Sequence, residues 1–193
     1  MRLHRVTWVD PGWARLRSHE PFHPLHVALD RQSAGRWDNP SRYAALYCST
    51  TDAAAVGETF ANSARWLASE IVRQKEGRPR CLVRFEFDES GLVDLDDPAM
   101  LLRLGLRPTD VVRRNRDHTR EIALRLWHDR DELGASGLRW WSYWRPEWTN
   151  VVLWTPSVDP PWFEECSEIE VEPLDPDHPA VRVAADVLPR RLG

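Results

Sequence analysis

The sequence predicts an α+β fold, in which strands and helices occur without a regular strand–helix alternation. Several short segments have the alternating or uninterrupted apolar pattern of strands, whereas others carry apolar residues three or four positions apart, which is typical of helices. No internal repeat or low-complexity segment interrupts them. Because 193 residues suffice for one domain with a sizeable core, we expect a single domain over residues 1–193.

The first half of the chain is expected to contain two strands and one long helix. Residues 5–9 and 43–48 are short and apolar, which favours strands, and the proline-rich stretch between them is typical of a loop with one or two short helical turns. Residues 49–52 offer capping side chains for a following helix. The apolar face of that helix would consist of Val56, Phe60, Ala64, Leu67 and Ile71, and Gly77 would end it.

The second half is expected to contain single strands separated by shorter helices. Residues 81–87 alternate between two faces, which predicts a half-buried strand. Further strands are predicted at 92–95, 137–141, 151–154 and 167–171. Helices are predicted at 99–104, after the capping residue Asp97, and at 117–129 and 179–188.

The composition narrows the classes of function. The 30 acidic residues exceed the 26 basic ones, and the net charge of -4 disfavours a protein that coats nucleic-acid phosphates, so we expect no direct nucleic-acid partner. The run Arg113, Arg114, Arg116 and Arg120 is interleaved with acids, which indicates a solvated helix face. No apolar run approaches the roughly 20 residues of a membrane-spanning helix. None follows the N-terminus as in a secretory signal, so we expect a cytoplasmic protein without a membrane partner.

Metal-binding patterns are weak. The three cysteines show no close metal-ligand spacing and are expected to be reduced thiols. The segment His19-Glu20-Pro21-Phe22-His23 formally matches the H-E-x-x-H zinc pattern, which requires both histidines on one helical face. Pro21 pushes the preceding residue out of the helical region, so we expect a loop here and no metal.

A more specific pattern is spread over most of the chain. Tyr47 follows Arg36 by 11 positions on a predicted strand, and Glu58 follows Arg36 by 22 positions in a predicted helix. Much later, Ser142 closes the segment Gly-Leu-Arg-Trp-Trp-Ser. The other segments of the pattern are residues 4–6, which include Arg5, and residues 92–98, 104–106 and 150–153.

In order and spacing, these segments resemble the RES domain family, named for its Arg, Glu and Ser. The resemblance covers residues 5–155 and leaves 156–193 as a C-terminal extension. It implies a fold like that of the ADP-ribosyltransferases, with mixed or antiparallel sheets flanked by helices. It also implies a toxin whose substrate is NAD+, needing no metal and neutralised by a cognate antitoxin of the DNA-binding Xre type.

The resemblance further implies cleavage of the nicotinamide–ribose bond, as in an NAD+ glycohydrolase or an NAD+ phosphorylase. The implied catalytic residues are Glu58, Arg36 and Ser142, and the implied NAD+-binding residues are Arg5, Arg36, Tyr47, Trp37 and Ser142.

These residue types suit the chemistry of that bond. Its cleavage passes through a sugar cation, which a carboxylate such as Glu58 can stabilise beside the ribose. The guanidinium groups of Arg5 and Arg36 can each donate two parallel hydrogen bonds to oxygens of the pyrophosphate. An aromatic face can cover the nicotinamide, and a serine hydroxyl can orient its amide or a phosphate.

The sequence leaves several alternatives open. The acceptor of the ADP-ribosyl group could be water, inorganic phosphate or a protein side chain, so a protein ADP-ribosyltransferase is the nearest rival function. A non-catalytic module that keeps the NAD+ pocket is a further alternative. Residues 143–148 (Tyr-Trp-Arg-Pro-Glu-Trp) favour that alternative, because they replace the small, glycine-rich segment usual in the family and could reshape the pocket. The oligomeric state is not indicated.

Overall fold

The computed structural model describes residues 1–32, 34–113, 115–156, 163 and 166–193. Its strands are β1 (Arg2–Trp8), β2 (Tyr43–Ser49), β3 (Arg65–Trp66), β4 (Arg80–Glu86), β5 (Leu92–Asp94), β6 (Gly137–Trp141), β7 (Thr149–Pro156), β8 (Ser167–Pro173) and β9 (Arg191–Leu192). Seven of them form one sheet in the order β5-β6-β7-β2-β1-β4-β8, and β3 pairs with β9 in a small parallel sheet. In the large sheet β5 and β6 run parallel, and the other neighbours run antiparallel.

The helices of the described residues are α1 (Asp52–Phe60), α2 (Ala68–Ile71), α3 (Pro98–Arg103), α4 (Pro108–Val112), α5 (Arg116–His128), α6 (Arg130–Leu133) and α7 (Pro179–Val187). Short 3-10 turns lie at Trp13–Arg15, Leu29–Arg31 and Glu89–Gly91. The side chains of Thr51, Asp97 and Asn115 accept backbone N–H groups at the starts of α1, α3 and α5. Each cap satisfies a donor that has no partner within its helix.

The large sheet opens in its middle. β1 pairs with β4 through seven consecutive residues, and β2 pairs with β7 through seven. Between β1 and β2, by contrast, the register within the described residues contains the single pair His4 and Ser49. Beyond that pair the two strands separate, so a gap opens between the two halves of the sheet and side chains from both halves can reach it.

Helices fix the walls of this gap. α5 packs its buried residues Ile122, Leu126 and Trp127 on the half of the sheet that contains β5, β6 and β7. On the other half, α1 and α7 pack together over β1 and β4. Gly57 in α1 is covered by the ring of Trp148, and a Cβ at this position would lie under 3.0 Å from the ring. α1 is therefore held between α7, the sheet and this tryptophan.

The α+β class is confirmed, with a mixed sheet flanked by helices. Strands lie within a few residues of every predicted strand, and helices lie near the predicted segments 99–104, 117–129 and 179–188. β4 is more buried than the expected half-buried strand, because α1 and α7 also cover the face that carries Leu82. The short helices α4 and α6 were not predicted.

The single long helix expected after residue 52 is wrong. α1 ends at Phe60, and the chain turns into β3 and the short α2. Trp66 is fully buried, and its carbonyl accepts the N–H of Gly193 at 3.1 Å in the β3–β9 pairing. Phe60, Trp66 and Ile71 still share one apolar cluster. Of the five residues expected on one helical face, Val56, Phe60 and Ile71 are buried, whereas Ala64 and Leu67 are exposed, so the helical spacing does not hold beyond α1.

The C-terminal residues belong to the same folded unit as the rest. β8 pairs with β4, and α7 packs against α1. Arg114, which is part of the arginine run noted in the sequence, lies outside the described residues, as do residues 157–162. No helix among the described residues is long and apolar enough to cross a membrane.

Candidate functional site

A cleft of about 1100 Å³ lies where β1 and β2 separate. Its size is at the upper end of ligand pockets, which suits a dinucleotide. Four of the six site residues expected from the sequence line this cleft, and they come from four different elements: Arg5 on β1, Arg36 on a loop, Tyr47 on β2 and Glu58 on α1. The lining does not include the other two, which are Trp37 and Ser142.

Glu58 is held by one of its two carboxylate oxygens. Its Oε1 accepts hydrogen bonds from the Oγ of Ser142 and from the Nδ2 of Asn150, the latter at 2.8 Å. No hydrogen bond to Oε2 comes from the described residues, and the side chain is half-buried at the cleft wall. A carboxylate with one fixed and one free oxygen can hold a ligand hydroxyl without first losing a protein contact.

Ser142 lies behind Glu58. Its side chain is only 1 % exposed, and its Oγ accepts the backbone N–H groups of Trp144 at 3.0 Å and Arg145 at 3.2 Å while donating to Glu58. The expectation that Ser142 itself contacts a ligand is therefore corrected, because the hydroxyl is buried and its hydrogen bonds are used within the protein. Ser142 acts on the cleft through Glu58.

The two arginines expected at the pyrophosphate face the cleft as cations without a carboxylate partner. No carboxylate among the described residues lies within 4.0 Å of the Arg5 or Arg36 guanidinium. Arg5 has a buried Nε without a hydrogen-bond partner and a long contact of 3.5 Å to the carbonyl of His26. Arg36 donates to the carbonyl of Val111. Both therefore retain N–H groups for an anionic ligand.

Burial acts on both guanidinium groups. It lowers the pKa of Arg5 and of Arg36 from the ordinary arginine value, and the negative charge of Glu58 partly opposes this effect at Arg36. Arginine stays protonated in proteins despite such shifts. Arg113 and Arg116 add two exposed positive charges to the cleft lining. The cleft lining thus carries several guanidinium groups, and its carboxylates are those of the half-buried Glu58 and the exposed Asp30 and Glu76.

Tyr47 ties the loop that carries Arg36 to the sheet. Its hydroxyl donates to Oδ1 of Asp38 at 2.8 Å and accepts the backbone N–H of Trp37 at 3.0 Å. Oδ2 of Asp38 accepts the N–H of Gly35 at 2.6 Å, and a Cβ at Gly35 would collide with both Asp38 oxygens and with the tyrosine hydroxyl. Burial, together with the Asp38 carboxylate, raises the pKa of Tyr47 well above the ordinary value, so the phenol stays protonated.

Asp38 was not identified from the sequence. Its contact with Tyr47 spans nine positions and depends on how the loop folds back over β2, and an aspartate between a tryptophan and an asparagine carries no local signal of that contact.

Trp37 does not offer a ring face to the cleft. It is 0 % exposed, and its ring packs edge-on against Trp140 at 5.5 Å between centroids. The expectation that Trp37 stacks on nicotinamide is therefore corrected, because its ring supports the cleft wall from behind. Trp140 lies in the lining itself and also packs edge-on to Tyr47 at 6.4 Å.

The residues after Ser142 divide between the cleft and the core. Tyr143 is 48 % exposed and lines the cleft together with Trp144. Trp148 is buried against α1 and helps to fix the helix that carries Glu58. The segment therefore places two aromatic side chains in the cleft lining and one in the core.

The floor of the cleft contains a row of residues that face one another across four strands. His4 on β1 pairs with Ser49 on β2, Ser49 pairs with Asn150 on β7, and Asn150 pairs with Trp140 on β6. All four line the cleft. Asn150 was not among the residues expected to form the site, and the register that brings it there follows from strand pairing and not from its sequence neighbours.

His4 lies beside an ion-pair network at the start of α1. Its Nδ1 is 2.6 Å from Oδ1 of Asp52, and the same carboxylate accepts two hydrogen bonds of 2.9 Å from Arg84. Arg84 also forms an ion pair with Glu172 on β8, with 3.0 Å between Nη1 of Arg84 and Oε2 of Glu172. Burial opposes ionisation of Asp52, but the hydrogen bonds from His4 and Arg84 outweigh it and hold the pKa of Asp52 well below its ordinary value.

The histidines of the H-E-x-x-H segment lie in turns, as expected from Pro21. Nδ1 of His23 accepts the N–H of Leu25 at 3.1 Å, and burial lowers the pKa of His23 to about 4. Within the part of the chain that the structure describes, no three His, Cys, Asp or Glu side chains are arranged to hold a metal ion.

The fold and the cleft together define an α+β protein whose site holds the Glu58 carboxylate near guanidinium groups that have no carboxylate partner within the part of the chain that the structure describes. The family model of the RES domain matches residues 2–175, so the chain belongs to the RES domain family. This confirms the resemblance noted in the sequence and extends it to β8.

Among solved structures, the chain is similar to one in the crystal structure of the M. tuberculosis MbcT-MbcA toxin-antitoxin complex. The match has 15% identity and a TM-score of 0.61, and it covers 97% of this chain and 88% of that chain. At this identity the likeness shows the fold alone. A search of curated proteins gives no match.

Proposed function

We propose that the protein is an enzyme that consumes NAD+ by cleaving the bond between nicotinamide and ribose. Membership of the RES domain family supports this proposal. The observation that carries it is the carboxylate of Glu58, with one oxygen held by the protein, in a cleft where no carboxylate of the described residues pairs with Arg5 or Arg36. A carboxylate suits a positively charged sugar, and the guanidinium groups suit the two phosphates of NAD+.

In the proposed reaction, the C–N bond to nicotinamide breaks and its electron pair leaves with the nicotinamide nitrogen. Positive charge develops on the ribose, and the free oxygen of Glu58 stabilises it while holding a ribose hydroxyl. Arg5 and Arg36 hold the pyrophosphate. An acceptor oxygen or nitrogen then forms the new bond to the anomeric carbon and loses its proton to solvent.

The acceptor is tested by mass analysis of the products. Purified protein is incubated with NAD+ with and without inorganic phosphate, and we expect NAD+ to disappear as nicotinamide appears. A phosphorylated ADP-ribose indicates phosphorolysis, free ADP-ribose indicates hydrolysis, and a mass increase on a protein indicates transfer. Intact NAD+ both with and without phosphate would refute the proposed activity and favour a non-catalytic binding module.

Glu58→Gln is the matched control for that experiment. Glutamine keeps the size and shape of the side chain but removes its charge, so turnover should fall by about 10²- to 10³-fold while NAD+ binding changes little. The melting temperature should stay nearly unchanged, because a single half-exposed carboxylate contributes little to folding. Full turnover in the variant would exclude Glu58 from the reaction, whereas a collapsed melting temperature would show a structural role.

We further propose that the protein is the toxin of a toxin–antitoxin pair acting in the cytoplasm. The structural neighbour comes from a toxin-antitoxin complex, which supports this proposal, and an Xre-type antitoxin is the partner proposed. Expression of the wild type should halt growth and deplete cellular NAD+, and Glu58→Gln should be harmless at equal expression. Growth arrest of the same strength by both proteins would contradict the proposal.

A further inference from the structure

We propose that Asn150, held by Ser49, is a positioning residue that fixes the orientation of the Glu58 carboxylate at the cleft. The inference rests on the proposed function, because it assigns a role in that reaction to a residue outside the Arg-Glu-Ser pattern. It is carried by the chain of contacts from Ser49 through Asn150 to Glu58.

The position of Asn150 follows from the sheet register. Asn150 lies directly opposite Ser49 on β2 and directly opposite Trp140 on β6, so its side chain points to the same face as theirs. α1 crosses this face and brings Glu58 within 2.8 Å of the Asn150 amide. Asn150 is only 7 % exposed, so its amide depends on protein partners for its hydrogen bonds.

The orientation of the amide is fixed from both ends. An ionised carboxylate has no hydrogen to donate, so the amide must turn its NH2 group toward Glu58. The carbonyl oxygen then faces β2, where it accepts the hydroxyl of Ser49 at 2.9 Å. A flipped amide would set its carbonyl oxygen against Oε1 of Glu58, so the donor from Ser49 supports the orientation that the carboxylate requires.

The contact also restricts the rotation of Glu58. Ser142 approaches Oε1 from the end of β6 and Asn150 approaches the same oxygen from β7. Two donors on one oxygen hold the carboxylate in one rotamer, and Oε2 remains free on the cleft side. Ser142 alone would leave the carboxylate free to pivot about that single contact.

Arg36 and Tyr47 also line the cleft with Glu58. Arg36 supplies the positive charge that interacts with Glu58, and Tyr47 beside it stays protonated. Within the described residues, neither side chain forms a hydrogen bond with the Glu58 carboxylate. Asn150 and Ser142 are therefore the contacts that define its orientation, and Asn150 can be altered without disturbing the cations that face the ligand.

Asn150→Asp is the decisive variant. Aspartate is nearly isosteric with asparagine, but it places a second carboxylate where a donor now lies 2.8 Å from Glu58. Two carboxylates so close cannot both ionise, so the pair retains one proton to higher pH. The acid limb of the pH–rate profile for NAD+ consumption should therefore move up by about one pH unit or more, with activity partly restored at alkaline pH.

Two milder variants separate positioning from charge. Asn150→Ala removes the donor and should lower kcat by up to about 10²-fold with a small change in KM, because a displaced catalytic group loses alignment and not substrate binding. Ser49→Ala should lower kcat less, because the donor to Glu58 remains. The control is Asn62→Asp, an exposed position that lines the same cleft and should shift the acid limb much less.

A readout that needs no turnover keeps this inference separate from the proposed function. The 13C chemical shift of the Glu58 carboxyl, followed from pH 3 to 9, should titrate at higher pH in Asn150→Asp than in the wild type. Unchanged titration and an unchanged pH–rate profile in Asn150→Asp would overturn the role of Asn150. Wild-type protein that never consumes NAD+, with a shifted Glu58 titration, would instead refute the proposed activity alone.

Discussion

Gly57→Ala tests whether Trp148 sets the position of the helix that carries Glu58. A glycine inside a helix costs about 1 kcal/mol relative to alanine, so an ordinary helical glycine is stabilised by this substitution. Gly57 is not ordinary, because a Cβ there would lie under 3.0 Å from two ring atoms of Trp148. Alanine therefore fits only if the ring or the helix moves.

The magnitude follows from two opposing effects. Overpacking of a well-packed site costs about 1–3 kcal/mol, and the better helix propensity of alanine offsets about 1 kcal/mol of that. We expect a net loss of about 0–2 kcal/mol in the free energy of unfolding. Trp148 cannot move freely, since its carbonyl accepts the N–H of Ser142 at 2.7 Å. A displacement of Trp148 therefore also moves Ser142 and disturbs its hydrogen bond to Glu58. We expect NAD+ turnover to be affected more strongly than the free energy of unfolding.

The assay combines urea unfolding with NAD+ turnover in a double-mutant cycle with Trp148→Leu. Without the indole ring, the nearest other atom to the new methyl group is Cδ1 of Leu188 at 3.4 Å, which is close to an ordinary contact. Gly57→Ala should therefore stabilise the Trp148→Leu background by about 1 kcal/mol. Stabilisation of the wild-type background by the same amount, with unchanged turnover, would refute the claim that the ring constrains the helix.

Two further predictions concern charged groups. Arg36→Lys keeps the charge but loses the planar fork, so NAD+ affinity measured by calorimetry should fall by about 1–3 kcal/mol, and unchanged affinity would remove Arg36 from the site. Asp52 has a pKa held below its ordinary value in the folded state by His4 and Arg84. Its stabilising contribution is therefore complete above the unfolded-state pKa of about 3.9 and is lost as the pH falls below it. The stability deficit of Asp52→Asn in urea should be largest near pH 7 and should shrink toward pH 3, and a deficit that is the same at both would show that the ion pairs do not cause it.

Local patterns predicted most of the elements. The alternation at 81–87 and the helical spacing at 117–129 correspond to β4 and α5, because each of these segments buries one regular face. The helix after residue 52 was extended too far because Ala64, Leu67 and Ile71 continued the apolar spacing by coincidence. What ended that helix was the pairing of β3 with β9, more than 120 positions away, which no local pattern contains.

Most of the site residues that the sequence predicted line the cleft, but the sequence did not predict how their side chains are arranged. Arg36, Tyr47 and Glu58 were identified through the resemblance to the RES domain family, and the structure brings their side chains to one cleft. The direction of Ser142 was missed because a serine at the end of a strand can face either the cleft or a neighbouring side chain. The turn at Trp144 and Arg145 decides this by directing two N–H groups to its oxygen.

The burial of two guanidinium groups in the cleft favours an anionic ligand there. Arg5 and Arg36 line the gap between the two half-sheets, and burial lowers the pKa of both. No carboxylate among the described residues lies within 4.0 Å of either guanidinium group. Glu58 acts on Arg36 only at longer range, because its fixed oxygen is committed to Ser142 and Asn150. An anion that contacts both guanidinium groups therefore supplies the negative charge that the described residues do not place within 4.0 Å of them. Pairing either arginine within the protein would make the fold more stable and the cleft less able to bind phosphate.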